Sequence, residues 1–317
     1  MSIFPSVSLT SRKMSSLRDQ PFLKIAGVIS FCFTSSSERE QERVVTRLEE
    51  LKELVDVYGR AYAKREALDA DLRPSLRRGV LEEAIRGRLV EQRSEEGSAE
   101  PLLTQIEQEK KQLLKAGKLK KRDLTSSTIY RGDDGLYYER VGKRITCIQD
   151  QIPFDIPSSW RWVRLGQVFN VVMGQSPDGT SVSRDGDGME FHQGKIAFGN
   201  KVIGMSPYVT SSPRKVAPKN SLLLCVRAPV GLVNITDRDI CIGRGLCSLK
   251  PVIGDVSFYF WLFHPLIPIF ESRSSGSTFK AITLKIVENQ LFPLPPEGEQ
   301  ERIVERLDKL MAQIDRL

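Results

Sequence analysis

The chain has only two histidines, His192 and His264, and five cysteines, Cys32, Cys147, Cys225, Cys241 and Cys247, with no C-x-x-C pair among them. That supply excludes the usual zinc spacings, and neither histidine sits in a Ser-His-Asp or Cys-His signature. The cysteines read as reduced thiols of a cytoplasmic protein. An N-P-P-Y methyltransferase motif is absent. "GMEFHQGKI" (188–196) approaches a phosphate-binding loop. It has five residues between its glycines where four are required, and Ile196 where Ser or Thr would hold magnesium. "DGDG" (185–188) lacks the spacing of a calcium loop. Long apolar runs are missing too. "FLKIAGVISFCF" (22–33) is too short to span a bilayer, and no small-residue cleavage site follows it. It reads as a remnant strand or a poorly defined start to the chain. Catalysis, a bound metal and membrane insertion are therefore not expected.

What is present is ordinary in amount and uneven in placement. The 317 residues suffice for one or two domains, and 40% hydrophobic with 27% charged residues is typical of globular proteins. The net charge is +7, yet residues 38–125 contribute only +1 and residues 156–296 contribute +6. Helices carrying both signs usually present solvated faces. A globular segment with surplus Lys and Arg can meet a polyanion.

The chain repeats itself. "EQERVVTRLEELKELVD" (40–56) returns as "EQERIVERLDKLMAQID" (299–315), and ten of nineteen residues are identical when 38–56 is aligned with 297–315. Val44, Leu48, Leu51, Val55, Tyr58 and Tyr62 follow alternating steps of four and three, the a/d seam of a coiled coil. Ile303, Leu307, Leu310, Ile314 and Leu317 hold the same phase in the second copy. Two matching seams can bury each other, or pair with those of another chain through Leu48, Leu51, Leu307 and Leu310. The first helix is expected to stop near Ala70, because Pro74 disfavours helical geometry just before it. "PSLRRGVLEEAIRGRLV" predicts a second helix ending between Arg86 and Val90, and "EQRSEEGSAE" a polar linker. "PLLTQIEQEKKQLLKAG" predicts a third helix, opened by Pro101 and closed by Gly117.

From residue 126 the pattern changes. "TIYRGDDGLYYERV" predicts a hairpin around its Asp-Gly turn. "VFNVVM", "SLLLCVRAPVGLVNI" and "ICIGRGLCSL" suit strands broken by glycine, "VSFYFWLF" suits a buried helix, and helix resumes after "LFPLPP".

The order "FPLPP" then "EQERIVERLDKL" resembles the conserved segment of the specificity subunit of type I restriction-modification systems. "LRPSLRRGVLEEAIRGRLVEQ" and "LLTQIEQEKKQLLKAGKLKK" are similar to the rest of that region. "IPFDIPSSWRWVRLGQV" resembles the opening of a target recognition domain, and "VMGQSPDG", "VRAPVG", "CIGRG" and "GSTFKAI" resemble its recurring segments. The likeness runs over roughly residues 38 to 317. It implies an α+β fold, with long coiled-coil-forming helices and one mixed α/β target recognition domain. The expected divisions are an undefined segment 1–37, a conserved helical spacer 38–125, a recognition domain 126–296 with its leading hairpin, and the start of a second conserved helix 297–317. The family implies a non-catalytic, cytoplasmic reader of double-stranded DNA. In it, helices set the gap between two half-sites, and methyltransferase and restriction subunits dock on the scaffold. S-adenosylmethionine, ATP and magnesium belong to those subunits. Only one recognition domain is found where the family commonly carries two. The chain thus resembles a half-length or truncated form that would need a second copy or another specificity half. A decayed subunit serving only as a coiled-coil interaction module is the alternative. Helix from 38 to 70 would measure ~50 Å at ~1.5 Å per residue, about 15 base pairs at ~3.4 Å each.

Candidate DNA contacts lie in loops of the recognition domain. "MGQSPDGTS" offers Gln175 and Ser176, and "HQGKIAFGNK" offers Gln193, Lys195, Asn200 and Lys201. Arg227 follows a strand before a rigid turn, and Arg244 stands between glycines that permit close backbone approach. Arg273, Ser277, Thr278 and Lys280 surround Gly276. Amides, hydroxyls and guanidinium groups can reach base edges or phosphates. Arg227 and Arg244 could equally hold turns together by hydrogen bonds to carbonyls.

Overall fold

The computed structural model describes residues 37–120, 124, 127–184, 186–274 and 281–317. It divides into two compact units, residues up to 71 and residues 72–317.

The first described element is helix α1, Glu38–Ile85, which is continuous through Pro74. The expected stop near Ala70 is therefore corrected. A proline inside a helix removes one hydrogen bond and costs ~3 kcal/mol. Here residues 70–76 are exposed, so the Ala70 carbonyl that loses its donor can be hydrated. In the unit up to 71, Val44, Leu51, Val55, Tyr58 and Tyr62 are exposed. The side chain of Leu48 lies outside the described set.

α1 ends where Gly87 takes φ +69. A Cβ there would sit 2.6 Å from the Pro157 ring, so glycine is required both for the turn and for the contact. The polar linker expected over residues 91–100 joins the two helices as an exposed connection, and it is tied down on the way. It forms a 3-10 turn at Ser94–Glu96, and Glu96 is paired with Arg302 at 2.6 Å. Helix α2, Glu100–Lys115, follows with Pro101 in its first turn, and Gly117 beyond its end has φ +71. Its buried Lys110 donates to the carbonyls of Gly166 and Phe169, at 2.5 and 2.9 Å.

The hairpin forms as expected: β1 (Ser127–Arg131) pairs with β2 (Tyr137–Val141) in antiparallel register, and β3 (Arg144–Cys147) adds a third strand. β4 (Arg161–Arg164) then enters the recognition domain and pairs antiparallel with the exit strand, Leu291–Leu294. Between them lie β5 (Phe169–Met173), β6 (Val182–Ser183), β7 (Met189–His192), β8 (Val209–Thr210), β9 (Val216–Ala217), β10 (Ser221–Cys225), β11 (Val233–Thr236), β12 (Ile240–Ile242) and β13 (Leu246–Pro251). The exit strand is β14. Two sheets result. One is antiparallel in the order β11-β10-β13-β5, and the other runs β6-β8-β7-β12-β9, with β7 and β12 parallel.

The apolar run Val256–Phe263 is helix α3, buried almost all round, with Asp255 accepting from the Ser257 N–H as its cap. Phe169, Tyr259, Phe263 and Phe292 pack edge-on or tilted at ring separations of 4.5 to 6.0 Å. Against this core lies helix α4, Glu297–Ile314, with Ile303, Leu307, Met311 and Ile314 buried. Leu81, Ala84 and Ile85 from the end of α1 join the same cluster. Leu307 is fully buried, so it is not available for pairing with another chain as the heptad reading supposed. Met311 takes the core position and Leu310 is only half-buried. A straight helix repeats every 3.6 residues and drifts off a strict 3.5 seam.

Candidate nucleic-acid interface

The backbone, more than any side chain, builds the candidate site. At the end of β5 the Gly174 N–H donates to the Leu246 carbonyl (2.9 Å) and the Gln175 N–H to the Ile242 carbonyl (3.0 Å). A Cβ on Gly174 would lie 2.1 Å from the Gly243 oxygen, so this loop rests directly on the 243–245 turn. That turn is held from beneath, since the Gly243 N–H donates to His192 O at 2.7 Å. The Val226 N–H donates to Gly245 O, and Ile282 N–H to Val226 O, both at 3.0 Å. Arg227 makes a bridge to Ala281. Glycine spacing thus lets three loops lie backbone on backbone, where side chains would have held them apart.

The outcome is a shared surface presenting Gln175, Gln193, Arg227 and Arg244, all exposed. Lys195, also exposed, opens a 3-10 turn two residues after Gln193. Its charge is felt by the Cys225 thiol, which burial pushes up to about 11 against the opposing lysine. Three cations, Lys195, Arg227 and Arg244, therefore flank one end of the β5-β10-β13 sheet with two amides. Cations of this kind neutralise phosphates, and the amides and guanidinium groups can address base edges.

The remaining candidates fall elsewhere. Ser176 turns inward, where its Oγ is buried without a hydrogen-bond partner beside a cleft of about 400 Å³ lined also by Pro177, Arg184, Phe191, Gln193 and Tyr208. Asn200 is exposed on a loop whose Gly199 carbonyl accepts from the Asn234 amide at 2.9 Å. Lys201 is turned toward α4, 3.2 Å from Asp308 and over the Trp261 ring at 5.4 Å. Arg273 donates to Gln290 at 2.9 Å, near the junction of β4 and β14. Ser277, Thr278 and Lys280 lie outside the described residues.

Two supporting networks escaped the sequence. Glu190 accepts from Arg238, from the Ser206 N–H at 2.6 Å, and shares a 2.8 Å bond with His192. Burial pushes the Glu190 carboxyl up, but those partners outweigh it and hold it at about 2. Burial lowers the His192 pKa against the opposing pull of Glu190, and the His192 carbonyl supports the Gly243 turn. The second network clasps α4. Buried Glu299 accepts from the Trp160 indole at 2.8 Å and from the Gln92 amide, while Arg302 grips Glu96. Burial raises the Glu299 pKa. One signal could have exposed this clasp: Glu, Gln and Arg are identical in both repeats although a heptad seam requires none of them.

Among the described residues no group of three His, Cys, Asp or Glu could hold a metal ion, and no helix is long and apolar enough to cross a membrane.

Basic, glycine-laced loops on an α+β body, with helices clasped to its flank, define a recognition scaffold. The family described as type I restriction modification DNA specificity domain matches residues 157–316, and the chain belongs to it. It is 42% identical over 158 residues to the MjaX type I restriction enzyme specificity subunit of Methanocaldococcus jannaschii, covering 48% of this chain and 37% of that one. It is 26% identical over 260 residues to the EcoAI specificity subunit of Escherichia coli, covering 77% and 40%. A solved HsdS subunit from Thermoanaerobacter tengcongensis shares 39% identity over 52% of this chain and 40% of its own, with a TM-score of 0.47. The chain spans about two fifths of the length of these relatives.

Proposed function

We propose that this chain binds double-stranded DNA sequence-specifically and reads one half of a bipartite target for a type I restriction-modification complex. The observation that carries the reading is the shared surface of Gln175, Gln193, Lys195, Arg227 and Arg244, held by backbone hydrogen bonds among three loops. A loop backbone already fixed in this way loses little freedom on binding, so the ordering cost is confined to the side chains, which suits base discrimination. The α1 helix is the spacer toward the other half-site, and the scaffold docks methyltransferase subunits and, through them, a restriction subunit. Chemistry, with S-adenosylmethionine, ATP and magnesium, belongs to those partners. A second specificity half completes the target. The test is methylome sequencing with and without the gene: loss of one split adenine-methylation motif is expected, and an unchanged methylome would overturn the reading.

A further inference from the structure

The Glu190 network holds up a loop whose two most prominent side chains have no work inside the fold. Among the described residues, Ile196 and Met205 are the most exposed large apolar side chains, at 99% and 76%. One bond brings their segments together: the Gly204 N–H donates to the Ala197 carbonyl at 2.7 Å. The 195–197 turn therefore lies beside residues 203–205. The loop is anchored by other apolar residues. Ile203 is buried in a small core with Leu223, Cys225 and Ile242, and Ala197 and Phe198 pack against that core. Its backbone is pinned as well. Arg238, paired with Glu190, donates to the carbonyls of Ile203 and Gly204 at 3.3 and 2.9 Å. Glu190 takes the Ser206 N–H, and the Ser206 hydroxyl donates to the Phe191 carbonyl at 2.7 Å. Folding thus gives no reason for isoleucine at 196 or methionine at 205. Single apolar residues on a surface are common, but these two share one pinned tip beside the exposed Lys195.

We propose that Ile196 and Met205 are specificity-determining residues that read the C5-methyl group of a thymine in the major groove. This rests on the DNA-binding reading above and names what the loop recognises. Ile196 follows Gln193 by three residues, a reach of at most about 11 Å along the chain. The tip therefore meets the groove within about three base pairs, at ~3.4 Å each, of the bases that Gln193 addresses. Two chain segments side by side have the width of a β-ribbon. The major groove, about 12 Å wide, admits such a ribbon, and the minor groove, at about 6 Å, does not. In the major groove the thymine methyl is the one aliphatic group that a base pair presents. Lys195 on the same turn can meet a flanking phosphate. An aliphatic pair on a fixed backbone gains by taking that methyl from water and loses little freedom in doing so.

The test removes the methyl group from the DNA and the aliphatic group from the protein in turn. The full chain selects its half-site from a randomised duplex library, and each thymine of the selected sequence is then replaced by deoxyuridine, which lacks only the methyl. One replacement is expected to weaken binding roughly threefold to fivefold, as one methyl group returned to water should. In Ile196→Ser, thymine and deoxyuridine should bind alike at that position, with the other positions unaffected. Met205→Ser should reduce the same preference at the same position. Urea midpoints of both variants should match the unaltered chain, since neither side chain is buried. A selected sequence without thymine, or a deoxyuridine effect that Ile196→Ser leaves intact, overturns the proposal. Two other results overturn it as well. In one, Ile196→Ser abolishes a fluorescence rise from 2-aminopurine placed in the site, the mark of a wedge that unstacks bases. In the other, it weakens only capture of the methyltransferase subunit, the mark of a protein contact. Duplex binding that persists without a methyl effect removes this inference alone. A chain that selects no sequence removes the DNA reading and the inference with it.

Discussion

Two stretches of this chain share ten residues in nineteen and meet opposite environments. Ile303 at the start of α4 is fully buried, and its counterpart Val44 is 40% exposed. Arg302 grips an acidic turn, whereas Arg43 lies on an exposed helix face. The difference teaches that a helical repeat carries its partner preferences in its polar residues as much as in its seam. A similar division runs through the basic residues. Lys201 is spent on Asp308 and Trp261, while Lys195 is left outward beside Arg227 and Arg244.

The largest break in the comparison should come from Ile303→Ala against Val44→Ala in the chain alone. Loss of a fully buried aliphatic side chain costs about 2 to 5 kcal/mol, whereas an exposed one stays within about 0.5 kcal/mol. Urea unfolding of the two variants measures the gap, and equal losses would contradict the assigned burial.

Next in size, Arg302→Ala should destabilise by about 1 to 3 kcal/mol because it strands the half-buried Glu96. Arg43→Ala should be near neutral. A double-mutant cycle with Glu96→Ala isolates the coupling of Arg302 to that turn.

The basic residues are sorted by salt. Arg227→Ala and Arg244→Ala should each flatten the log K against log salt slope by ~0.9 if they meet phosphates. Lys201→Ala should leave that slope alone and lower the urea midpoint instead. A slope change for Lys201 with none for Arg244 would reverse the assignment.

The smallest effect concerns protons. Burial raises the Glu299 pKa, so its folded form holds a proton more tightly than its unfolded form. Stability from this group is then present at low pH and is lost as pH rises through the unfolded and then the raised folded value. Glu299→Gln should therefore gain on the unaltered chain as pH moves from about 4 to 7, read from urea midpoints at both ends. Glu190 has the opposite sign: held at about 2, its contribution is present above the ordinary carboxylate range and fades as pH falls through it.

Much of the fold was legible because its signals are local. The Asp-Gly hairpin, the Pro101 and Gly117 limits of α2, the strand of Phe169–Met173 and the buried helix Val256–Phe263 all follow from turn chemistry and apolar runs. Pro74 misled because its local penalty is tolerable on an exposed helix. Within the candidate site, Arg227 and Arg244 were legible from flanking glycine and proline. Sequence could not show that Gln175, Gln193 and Arg244 share one floor, because the hydrogen bonds joining them link residues far apart in the chain. Nor could it tell Lys195 from Lys201, since a lysine's role depends on whether a carboxylate and a ring face stand opposite it.

By itself the sequence determined the duplication, the helical and β-rich halves, the lack of catalytic motifs and the basic surplus. Each of these is written in residue order, spacing or count. Only the tertiary structure decided that one copy of the repeat is clasped through Glu299 and Arg302, and that glycine contacts gather three loops into one surface. Burial and charge pairing come from neighbours in space, and identical residues acquire different roles when different surfaces close over them.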